Sequence, residues 1–424
     1  MKRMKFSLIL TLALAVTTTL IPSAKAKAAD NPPPQITGLS AITLDVKTGE
    51  IIYAKGIDEK RYPASITKLM TALLFAENKQ KTDLIPYTED ANKQPQYALR
   101  TDVFKSIKVG DTMPAEDVMK AMLLFSANDS AYMAGDSVAG TTDKFIQMMN
   151  DKASELGMKN THFVTANGLH DPNHYTTAYD LTILGRKSLS NPWIKEVSAI
   201  KQDTITFSKT GQTFPFENRN KNIGQDGCIG GKTGYTDPAK RCLLALYERD
   251  GRQIIGVILQ DVQGATDTAV FNNMKTIIDW SYSAQKTVAK PKDTVVEHTT
   301  LEYKPLKFFG PTKKINVDLV IKDDVTYYAN DVNKKELTFS TNVDKLDPWK
   351  LSTDQSVGSY AAKQREAVGN YKIYPTINTS EIVAQNKGLY IAVGVGAFAA
   401  LVVLVLLIIL VKKGLSRGGK KSYY

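Results

Sequence analysis

Sulfur is scarce in this chain. Its 424 residues include two cysteines, Cys228 and Cys242, so at most one disulfide can brace the fold and a multiply bridged scaffold is excluded. A single bridge and two free buried thiols both stay open on sequence alone. Histidine is nearly as rare, with four residues. His170 and His174 are close, but Asp171-Pro172-Asn173 between them reads as a loop, so the helical zinc-protease geometry is missing and no metal is expected. No Ser-His-Asp arrangement, internal repeat or low-complexity tract is found. Hydrophobic residues at 43% and charged residues at 23% exclude a globally disordered chain.

Positive charge in the middle of the chain is also missing. The net charge is +11, but Lys2, Arg3, Lys5 and Lys25 lie in the first 26 residues. Lys412, Lys413, Arg417, Lys420 and Lys421 lie in the last 13, which leaves +2 for everything between. A near-neutral body gives no electrostatic reason to expect nucleic acid.

The two ends read as targeting and anchoring segments. Residues 1–26 have a basic start, an apolar stretch and small residues that offer cleavage after Ala26 or Ala28, the pattern of a removed export signal. Residues 389–411 carry no charged side chain, and as a helix they would span ~34 Å, enough to cross a bilayer. The basic tail 412–424, free of acid, then predicts a cytoplasmic end and a body outside the cell. No Leu-Pro-x-Thr-Gly sorting signal precedes the span.

Between these ends the pattern predicts two domains. Residues 41–45 and 51–54 read as a β-hairpin turning at Lys47-Thr48-Gly49. Helical spacing dominates over 65–78, 115–125, 129–138 and 143–156, and short strands return at 204–207, 242–247 and 253–259 before a helix over 269–282. Strands at both ends with helices between predict an α/β (α+β) domain over 35–285 whose first and last strands share a sheet. A boundary near Pro291 introduces residues 292–374, rich in Val, Thr, Tyr and Lys, which read as a small β-sandwich. A polar linker at 375–388 leads to the membrane helix.

The chemistry gathers around short motifs. Ser65-Ile66-Thr67-Lys68 is Ser-x-x-Lys, a spacing that puts both side chains on one helix face. Two further short motifs follow it along the chain, Ser126-Ala127-Asn128 and then Lys232-Thr233-Gly234. Lys209-Thr210-Gly211 sits at a hairpin turn, whereas Lys232 follows Gly230-Gly231, whose bare backbone would let a ligand approach the strand. A serine hydroxyl needs a base, and Lys68 is the nearest one. Its pKa must then fall about 3 units below ~10.4, which burial and a neighbouring cation can supply.

These elements occur with Tyr62-Pro63-Ala64, Asn167-Gly168-Leu169, His174-Tyr175-Thr176, Asn218-Arg219-Asn220 and Tyr235-Thr236 in one order. Together they resemble the D-alanyl-D-alanine carboxypeptidases, the low-molecular-mass penicillin-binding proteins, with a serine DD-peptidase/β-lactamase-like catalytic fold. The resemblance implies Ser65 as nucleophile, Lys68 as base and Ser126 as proton relay to the leaving amine. It further implies Asn128, Lys232, Thr233, Gly234, Tyr235, Thr236 and Arg219 as substrate-binding residues, with the backbone N–H groups of Ser65 and Tyr235 as the oxyanion hole. The substrate would be a peptidoglycan stem peptide ending in D-Ala-D-Ala, β-lactams would acylate the same serine, and no cofactor is called for. Two departures stand out: a membrane-spanning helix in place of an amphipathic one, and Cys228-Ile229-Gly230, which leaves the register of that strand in doubt. A β-lactamase would need a glutamate for its deacylating water, and residues 161–180 contain Asp171 and Asp180 but no Glu. A non-catalytic wall-binding module is disfavoured by the intact Ser65, Lys68, Ser126, Asn128 and Lys232.

Overall fold

The computed structural model describes residues 31–262 and 268–417. The expected export signal and the last seven residues of the basic tail lie outside them. Five strands form one antiparallel sheet: β1 (Ser40–Asp45), β2 (Ile51–Lys55), β3 (Cys228–Thr236), β4 (Lys240–Arg249) and β5 (Arg252–Asp261), in the order β2-β1-β5-β4-β3. The first and last strands of the catalytic segment are paired, as expected, with Ile42 opposite Val257 and Leu44 opposite Ile255.

The central strands are apolar at nearly every position because both faces are covered. On β4 and β5, Leu244, Leu246, Ile255, Val257 and Leu259 enter one core, while Leu243, Ala245, Tyr247, Ile254 and Ile258 enter the other. The first core is closed by helices that include α1 (Lys68–Asn78), α2 (Asn128–Ala139) and α3 (Ala178–Leu189). The second is closed by α4 (Ala269–Ser283) through Val270, Met274, Ile277 and Ile278.

Hairpin β3-β4 turns over residues 237–239, and its register answers the question left by Cys228-Ile229-Gly230: the ladder shifts between Cys228 and Gly230. Cys228 stands opposite Tyr247 and Cys242 opposite Gly234, so the two thiols lie apart along the ladder; both are free and buried. The paired glycines serve a purpose other than the one expected. A Cβ at Gly231 would fall 2.2 Å from Leu244 O, and one at Gly230 would fall 2.8 Å from Ser198 Oγ. Their missing side chains therefore let β3 pack against the protein's own β4 and the helix Pro192–Ala199, not against a ligand.

Downstream, β6 (Val295–Tyr303) and β7 (Lys313–Ile321) form one hairpin, and β8 (Thr338–Val343), β9 (Gly358–Gln364) and β10 (Ala367–Pro375) form a meander. Strand β10 joins the two, pairing with β9 along most of its length and with β7 only through Ile373, Tyr374 and Pro375. Ile315, Val317, Leu319 and Ile321 alternate inward from β7 and share a core with Tyr360 and Ala362 of β9, and the five strands run in the order β6-β7-β10-β9-β8. Residues 375–388 carry the helix Thr379–Gln385, whose Ile382 joins that core, and α5 (Lys387–Arg417) contains the apolar stretch 389–411.

This module is bound to the catalytic one. Arg365 pairs with both Asp58 and Glu336 and lies 4.2 Å from the centre of the Tyr179 ring. Asn333 Nδ2 donates to Ile51 O at 2.8 Å, on the edge strand β2. Replacing Gly231 by Ala tests the packing of β3. Its φ of +145° and the 2.2 Å contact both oppose a side chain, so the variant should lose about 3 kcal/mol or more in urea unfolding.

Candidate active site

Ser65 lies in a short 3-10 turn, Ala64–Thr67, that runs directly into α1 at Lys68. The three-residue step places both side chains on one face, and Lys68 Nζ lies 2.8 Å from Ser65 Oγ. The amine is fully buried and has two other neighbours, Asn128 Oδ1 at 3.0 Å and Asn167 O at 2.8 Å. Both of those oxygens can only accept. A neutral Lys68 therefore spends its two N–H bonds on them and points its lone pair at the Ser65 hydroxyl.

Ser126 and Asn128 come from the turn that opens α2. A wide helical turn, Ala121–Phe125, ends at Ser126 in the left-handed region with φ +71°, a conformation worth roughly 1 kcal/mol or more of strain for a serine. Ser126 Oγ is 2.9 Å from Lys232 Nζ, which β3 delivers and which also donates to Thr233 O at 3.0 Å. Asn128 donates from Nδ2 to Gln96 O at 2.9 Å.

The site thus holds two buried lysine amines, with Arg219 close by. Arg219 donates from Nε to Phe125 O at 2.6 Å and lies 4.9 Å from the ring centres of Tyr97 and Phe125. Burial, then Lys232, then Arg219 push the Lys68 pKa well below the lysine range, against the opposing charge of Asp129. Burial and Arg219 push Lys232 down to about 7.

The expected Lys-Thr-Gly segment lies beside the serine. A Cβ at Gly234 would stand 2.8 Å from Pro63 O and 3.0 Å from Ser65 N, so a bare residue lets β3 lie against the Ser65 backbone. Thr233, Tyr235 and Thr236 are half-buried along the same strand. Tyr235 donates to Asp237 at 2.8 Å, and Thr236 Oγ1 accepts from Ala239 N–H.

Four further groups shape the site without a catalytic or binding role assigned from the sequence. The Asn167 carbonyl has no side-chain signature at all. Gly168 has φ +80°, and a Cβ there would fall 1.9 Å from Ala64 O, which is why the Asn-Gly pair needs its glycine. Asp129, fully buried, accepts from the N–H groups of Leu99, Arg100 and Ser130 and from Tyr87 Oη, fixing the loop over α2; burial holds its carboxyl above the usual range. His174 sits behind α1, where Nδ1 accepts from Val164 N–H at 3.1 Å and Nε2 meets Thr67 Oγ1 at 2.9 Å. A ring whose Nδ1 accepts carries its proton on Nε2, so His174 is a neutral strut in a loop.

Burial lowers the His174 pKa from 6.5 to about 4. Between those values the unfolded chain binds the proton and the folded one does not, so stability falls as pH drops from 6.5 toward 4. That window should cost about 3 kcal/mol. His174→Gln should show a flatter stability–pH curve there in urea titrations, and an unchanged slope would remove the assignment.

Residues 25–263 match the family described as D-alanyl-D-alanine carboxypeptidase. D-alanyl-D-alanine carboxypeptidase DacF of Bacillus subtilis is 30% identical over 72% of this chain and 77% of its own length. DacC of Escherichia coli, another D-alanyl-D-alanine carboxypeptidase, is 32% identical over 67% of this chain and 70% of its own. A Streptomyces DD-transpeptidase crystal structure superposes with a TM-score of 0.54 at 25% identity, covering 59% of this chain and 99% of that one. With a Ser-x-x-Lys pair whose lysine is buried at the junction of sheet and helices, and a family match over more than half its length, the chain belongs to the D-alanyl-D-alanine carboxypeptidases.

Proposed function

We propose that Ser65 opens the terminal D-Ala-D-Ala bond of a peptidoglycan stem peptide: D-Ala leaves, and water then releases the shortened peptide from the acyl-enzyme. The observation that carries this reading is the neighbourhood of Lys68 Nζ, 2.8 Å from Ser65 Oγ and otherwise surrounded by acceptors. Lys68 takes the hydroxyl proton as Oγ attacks. Ser126, 2.9 Å from Lys232 Nζ, passes a proton to the departing amine. Lys232, Thr233, Thr236 and Arg219 receive the terminal carboxylate, and Asn128 holds the peptide amide. The backbone N–H groups of Ser65 and Tyr235, brought together by the bare Gly234, take the oxyanion.

A β-lactam acylates the same Ser65, whose partner Lys68 is otherwise bordered by the Asn128 side-chain amide and the Asn167 carbonyl. The helix Lys387–Leu415 is long and apolar enough to cross a membrane. We assign it as a single-pass anchor that holds the catalytic module on the wall side, with the basic tail in the cytoplasm.

Ser65→Ala should abolish D-Ala release from a peptide ending in D-Ala-D-Ala and the mass adduct with labelled penicillin; an adduct on another side chain would refute the assignment. Lys68→Ala should lower kcat/KM by about 10² to 10⁴ with unchanged circular dichroism. The pH profile of kcat/KM should rise as Lys68 loses its proton and fall as Lys232 loses its own at about 7. Because a bound carboxylate favours charged Lys232, the falling limb of kcat should move to higher pH; coincident limbs would count against Lys232 as the carboxylate anchor.

A further inference from the structure

The hairpin between β6 and β7 ends in a loop, 305–311, that presents Phe308 at 79% and Phe309 at 73% exposure. Such exposure of two adjacent phenylalanines needs an account. The loop has internal backbone hydrogen bonds. Pro305 and Pro311 bracket it, Lys307 adopts φ +64°, and Lys307 N–H and Phe308 N–H donate to Lys304 O and Leu306 O. Residues 303–314 also contain four lysines and no acid.

Its position is fixed against α5. Asn386, which immediately precedes α5, donates from Nδ2 to Tyr303 Oη at 2.9 Å and accepts from Lys313 Nζ at 2.7 Å, clamping the base of the hairpin. One helical turn further on, Tyr390 Oη donates to Pro305 O at 2.7 Å. Moving along α5 toward its apolar stretch therefore means moving along the hairpin toward its tip. Half-buried Trp349 lies 5.9 Å from the Tyr303 ring, so Tyr303, Trp349 and Tyr390 together form an aromatic group at the level where α5 begins. Amphipathic aromatics at one level and lysines beside them are what a membrane interface selects.

We propose that loop 305–311 is a second membrane contact: Phe308 and Phe309 enter the interfacial layer of an anionic lipid surface beside α5, while Lys304 and Lys307 meet the headgroups. This rests on α5 being the membrane anchor. A single helix leaves the body free to tilt about its entry point; a second contact a few residues from that point fixes the tilt of the β-rich module, and the Arg365 and Asn333 contacts pass that orientation to the catalytic module.

The test uses the full chain in vesicles of phosphatidylcholine with or without phosphatidylglycerol. Both native thiols are buried, so a polarity-sensitive dye reports on Phe309→Cys, with Val368→Cys, exposed at the other end of β10, as the reference. The dye at 309 should shift to the blue and be quenched by nitroxide-labelled lipid, and the dye at 368 should not. Removing lysines with Lys304→Gln and Lys307→Gln should reduce the ratio of inserted to aqueous loop about fivefold per lysine on anionic vesicles. Equal, aqueous signals at both positions in protein that floats with the vesicles would overturn the loop contact alone. Failure of the protein to float with vesicles would overturn the anchor and the loop contact together.

Discussion

Two lysine amines buried side by side, one against Ser65 and the other against Ser126, are the constraint on which the rest of the catalytic module depends. A buried lysine loses much of its hydration, and a second cation nearby compounds the cost. Lys68 answers this by giving up its charge, while Lys232 sits at the edge of doing so with a pKa of about 7. Those two states are what acyl transfer requires: one amine able to take a proton and one cation able to hold a carboxylate. The fold enforces the pairing from independent directions, since α1 carries one lysine and the edge strand β3 carries the other.

Maintaining that arrangement consumes conformational freedom around it. Ser126 is held left-handed, Gly168 passes against Ala64 O where no side chain fits, and Asp129 gathers donors from backbone and from Tyr87 to fix the loop over α2. His174 locks the loop that supplies the Asn167 carbonyl by bonding Thr67, one residue before Lys68. Each of these contacts stabilises a conformation that local preference alone would not choose. Such local conflicts concentrate where function overrides propensity.

Much of this was legible in the sequence, for definite reasons. The pairing of β1 with β5 follows from strand patterns at both ends of the segment, and Ser65, Lys68, Ser126 and Lys232 follow from motif order. The structure brings these four together in two close pairs. What stayed hidden is what side-chain identity does not encode. The Asn167 contact is a backbone carbonyl, visible only once the loop is folded. Gly230 and Gly231 invited a ligand reading because bare backbone looks the same from the sequence whether its neighbour is a substrate or Leu244. The two cysteines could not be placed without register, and the shift after Cys228 decides where the first one sits.

The sheet of the catalytic module has unequal edges. On the β2 side, Asn333 occupies the Ile51 carbonyl and the helix Asp331–Glu336 lies against the strand, so a foreign chain finds that border already occupied. The β3 border is the one that runs past Ser65. An extended polypeptide seeking backbone partners is therefore directed to the side that carries Ser65, and a neighbouring copy is denied the opposite border as a place to stack into fibres.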